Sequence, residues 1–220
     1  MIIGIASLKA GCGKSTCAVN LASQLADIDS SSAGRWQGKY RVVLVDADAN
    51  GSATSYRAGG RLPVSIEQIL LQDTESEDEW NRRIRAIDVD YVVVDGPSEH
   101  PSITLAIMNV CDLLIVPCLD SALDFAATRR TMDLLATARA ARTAGGPACL
   151  LAPMRVPLSS TGTKFRNALS IFGEPVAAVI HRREAFRRAS RAKGWIGEDA
   201  GALRACEEMK ALVSAVKNHK

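Results

Sequence analysis

Eight consecutive residues, Lys9-Ala10-Gly11-Cys12-Gly13-Lys14-Ser15-Thr16, are of the types that hold a polyphosphate. So concentrated an anion needs several backbone N–H groups converging on it. Gly11 and Gly13 permit the close approach and unusual dihedrals that this requires. A helix opening at the end of the segment adds its positive N-terminal end. Lys14 is spaced to reach β- and γ-phosphates, and the Ser15 hydroxyl to coordinate Mg²⁺. Thr16 is then placed to bond an α-phosphate oxygen. A strict G-x-x-x-x-G-K-[ST] loop would have glycine at position 8, where this chain has Leu8; a second lysine, Lys9, follows it.

Carboxylates recur at the ends of apolar runs. Val42-Val43-Leu44-Val45 leads into Asp46-Ala47-Asp48, and Tyr91-Val92-Val93-Val94 ends in Asp95. The second is the pattern of a buried strand whose terminal carboxylate holds Mg²⁺ through a water. An open α/β sheet places its ligand at the C-terminal ends of adjacent strands, so Asp46, Asp48 and Asp95 belong with the phosphate loop.

Such a site demands parallel strands alternating with helices, and the chain supplies them. Strands are expected at Ile2–Ala6, Arg41–Val45, Tyr91–Val94, Leu113–Val116 and Ala148–Leu151, with a possible sixth at Val176–Ile180. Their continuous apolarity fits strands covered on both faces. Helical spacing is read at Thr16–Ala26, Ser65–Leu71, Trp80–Ile87, Ser102–Asn109, Asp124–Ala141, Thr163–Phe172, Glu184–Lys193 and Ala200–Lys217. The expectation is a doubly wound, mainly parallel α/β sheet flanked by helices, in one domain over residues 1–220. Asp29–Lys39 and the acidic Asp73–Glu79 are expected as surface excursions, the latter a solvated acidic turn in preference to a cap on the helix near Trp80.

Composition narrows the classes. At 220 residues, 47% apolar and 23% charged, the chain is that of a globular protein, not a disordered one. No apolar run approaches the ~20 residues of a membrane span, and Met-Ile-Ile-Gly-Ile is too short for the apolar core of a secretory leader. Six cysteines without any C-x-x-C pair read as reduced thiols of a cytoplasmic protein, and zinc spacing is absent.

The loop K-x-G-x-G-K-[ST] resembles the deviant Walker A of the ParA/MinD family of ATPases, with Ala10 where the family usually has glycine. The stretch Asp46-Ala47-Asp48-Ala49-Asn50-Gly51-Ser52-Ala53-Thr54 resembles the family's D-x-D-P-Q-G-x-x-T, with Ala49 and Asn50 replacing proline and glutamine. Tyr91–Pro97 resembles its Walker B, and Ser121-Ala122-Leu123-Asp124 its P-S-x-x-D stretch. The resemblance is closest to the small ParA type exemplified by ParF, with VirC1-like proteins of conjugative transfer in the same group. It implies a P-loop ATPase that uses ATP and Mg²⁺ and forms a homodimer around ATP. Lys9 would reach the partner's phosphates, Asp46 would lie near the metal shell with Ser15 and Asp95, and Asp48 would orient the attacking water. Pro153 and Met154 lie where the family wraps adenine. The resemblance further implies slow hydrolysis stimulated by a ParB-like or ParG-like adaptor protein, and nucleoid association in the ATP state.

Partners divide the family. Charge is uneven: residues 1–128 carry 10 basic and 17 acidic side chains, residues 143–220 carry 13 and 6. Arg182, Arg183, Arg187, Arg188, Arg191 and Lys193 fall within twelve residues, opposed only by Glu184. Six cations on one edge would contact DNA phosphates without reading sequence; the alternative is pairing with the acidic first half of the chain or with a dimer partner. The last helix carries an apolar stripe of Leu203, Cys206, Leu212, Val213 and Val216 interrupted by Glu207 and Glu208. That pattern fits docking on the core better than a membrane anchor. A MinD-like membrane-surface or scaffold ATPase and an accessory ATPase of conjugative DNA transfer remain the rival readings. A nitrogenase-type cluster bridged by Cys111 and Cys118 is disfavoured, because these flank one strand.

Overall fold

The computed structural model describes residues 1–26, 40–142, 145–158 and 161–219; the expected excursion Asp29–Lys39 lies outside them. Six strands form one parallel sheet: β1 (Ile2–Ile5), β2 (Val42–Asp46), β3 (Ser65–Gln68), β4 (Tyr91–Asp95), β5 (Leu113–Cys118) and β6 (Ala148–Pro153). Their order is β3-β2-β4-β1-β5-β6, so β1 is central, between β4 and β5. Among the described residues α1 (Lys14–Ala26), α2 (Glu77–Arg85), α3 (Pro101–Val110) and α4 (Ala122–Ala141) lie between strands, and α5 (Thr161–Leu169), α6 (Glu184–Arg191) and α7 (Leu203–Lys217) follow β6.

Alternation along each strand divides the core in two. Ile3, Ile5, Leu44, Val93 and Ile115 pack with Leu21 and Leu25 of α1 and Met209, Leu212 and Val216 of α7. Val43, Val45, Val92, Val94 and Leu114 point to the other face, against Trp80 of α2, Ile107 of α3 and Leu135 of α4. Both faces are therefore apolar, which is why the strands read as continuous apolar runs. Ser76 and Glu79 form a reciprocal capping box at the start of α2, so the acidic run Asp73–Glu79 does cap that helix. The Trp80 indole N–H donates to the Ile69 carbonyl at 3.0 Å.

Two elements differ from expectation. Ser65–Leu71 is not a helix: Ser65–Gln68 is the edge strand β3, with Leu44 opposite Ile66 and Asp46 opposite Gln68. Ile66 and Ile69 have helical spacing, but in so short a run the unpaired edge of β2 decides the backbone. Val176–Ile180 is not a regular strand either. It follows β6 through isolated bridges, Leu151 with Val176 and Val156 with His181. Pro153 lies between the bridges and has no N–H to donate, which breaks the ladder. The last helix docks on α1 as expected, but through Ala205, Met209, Leu212, Val213 and Val216, while Leu203 is exposed. Among the described residues no helix is long and apolar enough to cross a membrane.

Candidate functional site

Parallel pairing assembles the site at the C-terminal edge of the sheet. Register places Asp46 beside Asp95, and Asp95 beside Ile5, the last residue of β1 before the glycine loop. In that loop Gly11 and Gly13 have φ of 69° and 96°, backbone that side chains other than glycine rarely adopt. Lys14 opens α1 with its side chain buried, and its Nζ donates to the Lys9 carbonyl at 3.0 Å and the Ser98 hydroxyl at 2.6 Å. Both contacts hold the ammonium over the loop. Ser98 was missed by sequence reasoning, and only its place three residues after Asp95 hinted at it.

A cavity of about 710 Å³ opens above the loop, lined by Gly11, Gly13, Lys14, Ser15, Thr16, Asp48 and Ser98 at one end. Met154 and Arg155 form another wall, and the Arg155 guanidinium donates to the Gly11 carbonyl at 3.1 Å. Lys9, Ala10, Cys12, Asp46, Asp95 and Pro153 are not among the residues lining it. Of the expected adenine pair only Met154 faces the cavity. Pro153 is spent on β6, and the Cys12 side chain is buried beneath the loop, where desolvation pushes its thiol up. Lys9 turns aside, with its Nζ 3.6 Å from Asp124 Oδ1 at the start of α4.

The carboxylates differ in how they are satisfied. Asp46 accepts the Asp48 N–H at 3.1 Å and the Thr54 N–H at 2.6 Å. Asp48 accepts both the backbone and side-chain N–H of Asn50, at 2.9 and 3.0 Å. Asp95 is fully buried, and neither of its oxygens has a hydrogen-bond partner. Burial, then Asp46 and Asp48, push its pKa up to about 8, against a smaller pull from Ser15 and Lys14. An orphaned buried carboxylate beside a second acid and a serine hydroxyl fits a hydrated divalent cation. Among the described residues no three His, Cys, Asp or Glu side chains converge as a metal cage. Waters and phosphate oxygens would therefore complete the shell, as is usual for Mg²⁺.

The basic stretch lies elsewhere than on a detached edge. Arg182, Arg183, Arg187 and Arg191 line the same cavity as Lys14, alongside Phe186. Arg183 and the His181 ring are both held by Glu208 of α7, at 2.6 and 2.7 Å. Burial alone would raise the Glu208 carboxyl, but Arg183 and His181 outweigh it and hold it below the ordinary range. Arg187 bonds Glu184, Arg188 bonds Asp199, and the Lys193 ammonium donates to Ser55. Intramolecular pairing thus occupies Arg183, Arg187 and Arg188, but with Glu208, Glu184 and Asp199 of the same half of the chain and not with the acidic first half, because α6 packs beside its own flanking turns and α7.

The profile of the CobQ/CobB/MinD/ParA nucleotide binding domain matches residues 3–195. The chain belongs to this ParA/MinD family of P-loop ATPases. It is 30% identical over 193 residues to the "Maintenance of carboxysome distribution protein A" of Halothiobacillus neapolitanus, covering 87% of this chain and 84% of that one. It is 28% identical over 137 residues to "Protein ParA" of Rhizobium radiobacter, covering 61% and 56%. Apo McdA of Cyanothece superposes with a TM-score of 0.78 at 17% identity over 98% of each chain. MinD of Pyrococcus horikoshii in complex with Mg-ADP superposes at 0.72 and 17%, covering 98% and 95%. These relatives support the ParA/MinD family without singling out its ParF or VirC1 branches. The family's P-loop fold implies ATP binding, and in this chain Lys9–Thr16 lies between β1 and α1.

Proposed function

We propose that the protein is a Mg²⁺-dependent ATPase switch that dimerises around ATP, binds DNA non-specifically in that state, and thereby positions or segregates a cargo. The observation that carries this reading is the split between two lysines of one loop. Lys14 is buried over the phosphate site, whereas Lys9 is turned away from the cavity onto Asp124. A lysine outside its own cavity is free to serve the phosphates of a second protomer once Asp124 releases it. The names of the relatives, for carboxysome distribution and for ParA, support a cargo-positioning role.

Within the site, Lys14 and the loop N–H groups would bind and orient the phosphates, stabilising charge as it develops. Asp48, fixed by Asn50, would align water. Ser15, Asp46 and Asp95 would hold the cation, which supplies neutralisation of phosphate charge when bound. The DNA surface would be built from Arg182, Arg187 and Arg191, cations lining the cavity that would turn outward when nucleotide fills it, Arg187 giving up its exposed bond to Glu184. An adaptor protein that accelerates hydrolysis, and a nucleoid location in the ATP state, go with this reading.

Co-sedimentation with DNA and with anionic liposomes, each with MgADP and with MgATP, tests it. DNA retention at low salt with MgATP alone is the expected result. Retention on liposomes instead would favour a membrane-surface ATPase, and no retention on DNA would overturn the proposal.

A further inference from the structure

A short 3₁₀ turn, Thr54–Gly59, joins the carboxylate end of the site to the arginine helix. Its first N–H, from Thr54, is bonded to Asp46 at 2.6 Å, and the Thr54 hydroxyl is buried without a partner. At its other side the turn meets the C-terminal end of α6 in three places. The Tyr56 hydroxyl donates to Ser190 Oγ at 2.9 Å. Lys193 donates to Ser55 Oγ at 3.0 Å, and its ammonium lies 5.5 Å from the Tyr56 ring centroid. At Gly59 the backbones approach so closely that a Cβ would sit 2.1 Å from the Lys193 carbonyl oxygen. Lys193 itself has a left-handed φ of 53°, uncommon for a lysine and maintained only by its surroundings.

We infer that this turn transmits the state of the γ-phosphate and cation end of the cavity to α6, with Tyr56 and Ser55 as positioning residues. The inference rests on the ATPase reading and adds the route by which that site is regulated. Asp46 now spends one oxygen on Thr54. A carboxylate drawn toward a hydrated cation that the γ-phosphate holds in place loosens that bond, and the turn moves with its first residue. Because Tyr56 and Gly59 are seated on Ser190 and Lys193, the C-terminal end of α6 follows. Arg187 and Arg191, which line the cavity from that end, then change their exposure. Switch segments of nucleotide hydrolases respond to γ-phosphate in this general manner. Here the response is carried by one phenol hydroxyl, one serine and one close backbone contact.

Hydrogen exchange with mass-spectrometric readout separates the route from direct contact. A nucleotide base or ribose touching α6 would affect it equally with MgADP and MgATPγS, so the informative quantity is the difference between the two. The wild type is expected to show that difference in both 54–60 and 184–194. The Tyr56→Phe, Ser55→Ala double variant removes the two side-chain bonds to Ser190 and Lys193, together with the Ser55 bond to the Ser52 carbonyl, and no packing volume of note; its melting temperature is expected within a few degrees of wild type. It should keep the difference in 54–60 and the nucleotide protection of 11–16, yet lose at least two-thirds of it in 184–194. An undiminished difference there overturns the inference, as does a wild type in which 54–60 responds and 184–194 does not. If nucleotide fails to protect 11–16 at all, the ATPase reading falls and takes the inference with it. Loss of coupling in the variant beside a wild type that never retains DNA would leave the route standing and remove only the DNA proposal.

Discussion

Asp95→Asn should stabilise the nucleotide-free protein at neutral and alkaline pH while removing its response to Mg²⁺. The carboxyl is fully buried with both oxygens unpartnered, and its pKa rises from 3.8 to about 8. A raised folded pKa means that the native state holds a proton the unfolded chain has released, so stability falls as pH rises from about 4 to about 8. The slope is about 1.4 kcal/mol per pH unit, and the accumulated penalty about 5 kcal/mol above pH 8. An asparagine carries no charge, yet leaves its amide without partners in the same place at about 1–3 kcal/mol. The net gain is then on the order of 2 kcal/mol at pH 8, or on the order of 5 °C in melting temperature for a chain of this size. Near pH 4 the wild-type carboxyl is neutral, and the gain should vanish or reverse. Thermal melts in EDTA at pH 4.5, 6 and 8 measure this directly. Adding MgATP should then raise the wild-type midpoint and leave the variant behind. Parallel pH dependence in the two proteins, or a variant that is less stable at pH 8, would refute the reasoning, because Asp95 would then carry no uncompensated charge.

Lys14→Ala removes the ammonium bonded to Ser98 and the Lys9 carbonyl, and should weaken ATP binding at least 100-fold by calorimetric titration. Lys9→Ala should keep ATP affinity within about threefold and abolish ATP-dependent dimerisation in light scattering; Asp124→Ala, which frees Lys9, should leave dimerisation intact or raise it. Replacing Arg187 and Arg191 together with alanine should lower the slope of log K for DNA against log salt by about two, with little change in ATP affinity. Arg183→Ala leaves Glu208 with His181 alone, and should destabilise the protein by about 1–3 kcal/mol in urea unfolding at pH 7, where that carboxylate is charged. The loss should shrink as pH falls below about 4, because the contribution of a depressed carboxyl is present above its unfolded pKa and disappears as it protonates.

The phosphate loop and the strand-end acids were legible because their chemistry is local. Gly11 and Gly13 sit where backbone must turn left-handed, and Lys14, Ser15 and Thr16 follow at spacings that a helix start imposes. Asp46 and Asp95 close runs of apolar residues whose continuity already meant strands covered on both faces. The misread elements were those that depend on neighbours. Ser65–Gln68 became a strand because β2 offered an unpaired edge, and Val176–Ile180 lost its ladder because Pro153 could not donate.

The doubly wound class and the family's phosphate-loop motif were legible from sequence alone, since both rest on residue type and short-range spacing. Only the tertiary structure decided where the arginines of 182–191 go. Spacing puts Arg187, Arg188 and Arg191 on one helix and Arg182 and Arg183 just before it but not against anything, and only the packing of that segment makes Arg182, Arg183, Arg187 and Arg191 line the cavity that Gly11, Gly13 and Lys14 also line. The same holds for Lys9 on Asp124, 115 residues apart, and for Tyr56 on Ser190, 134 residues apart. Such contacts depend on the distance between folded layers, which no local pattern of side chains encodes.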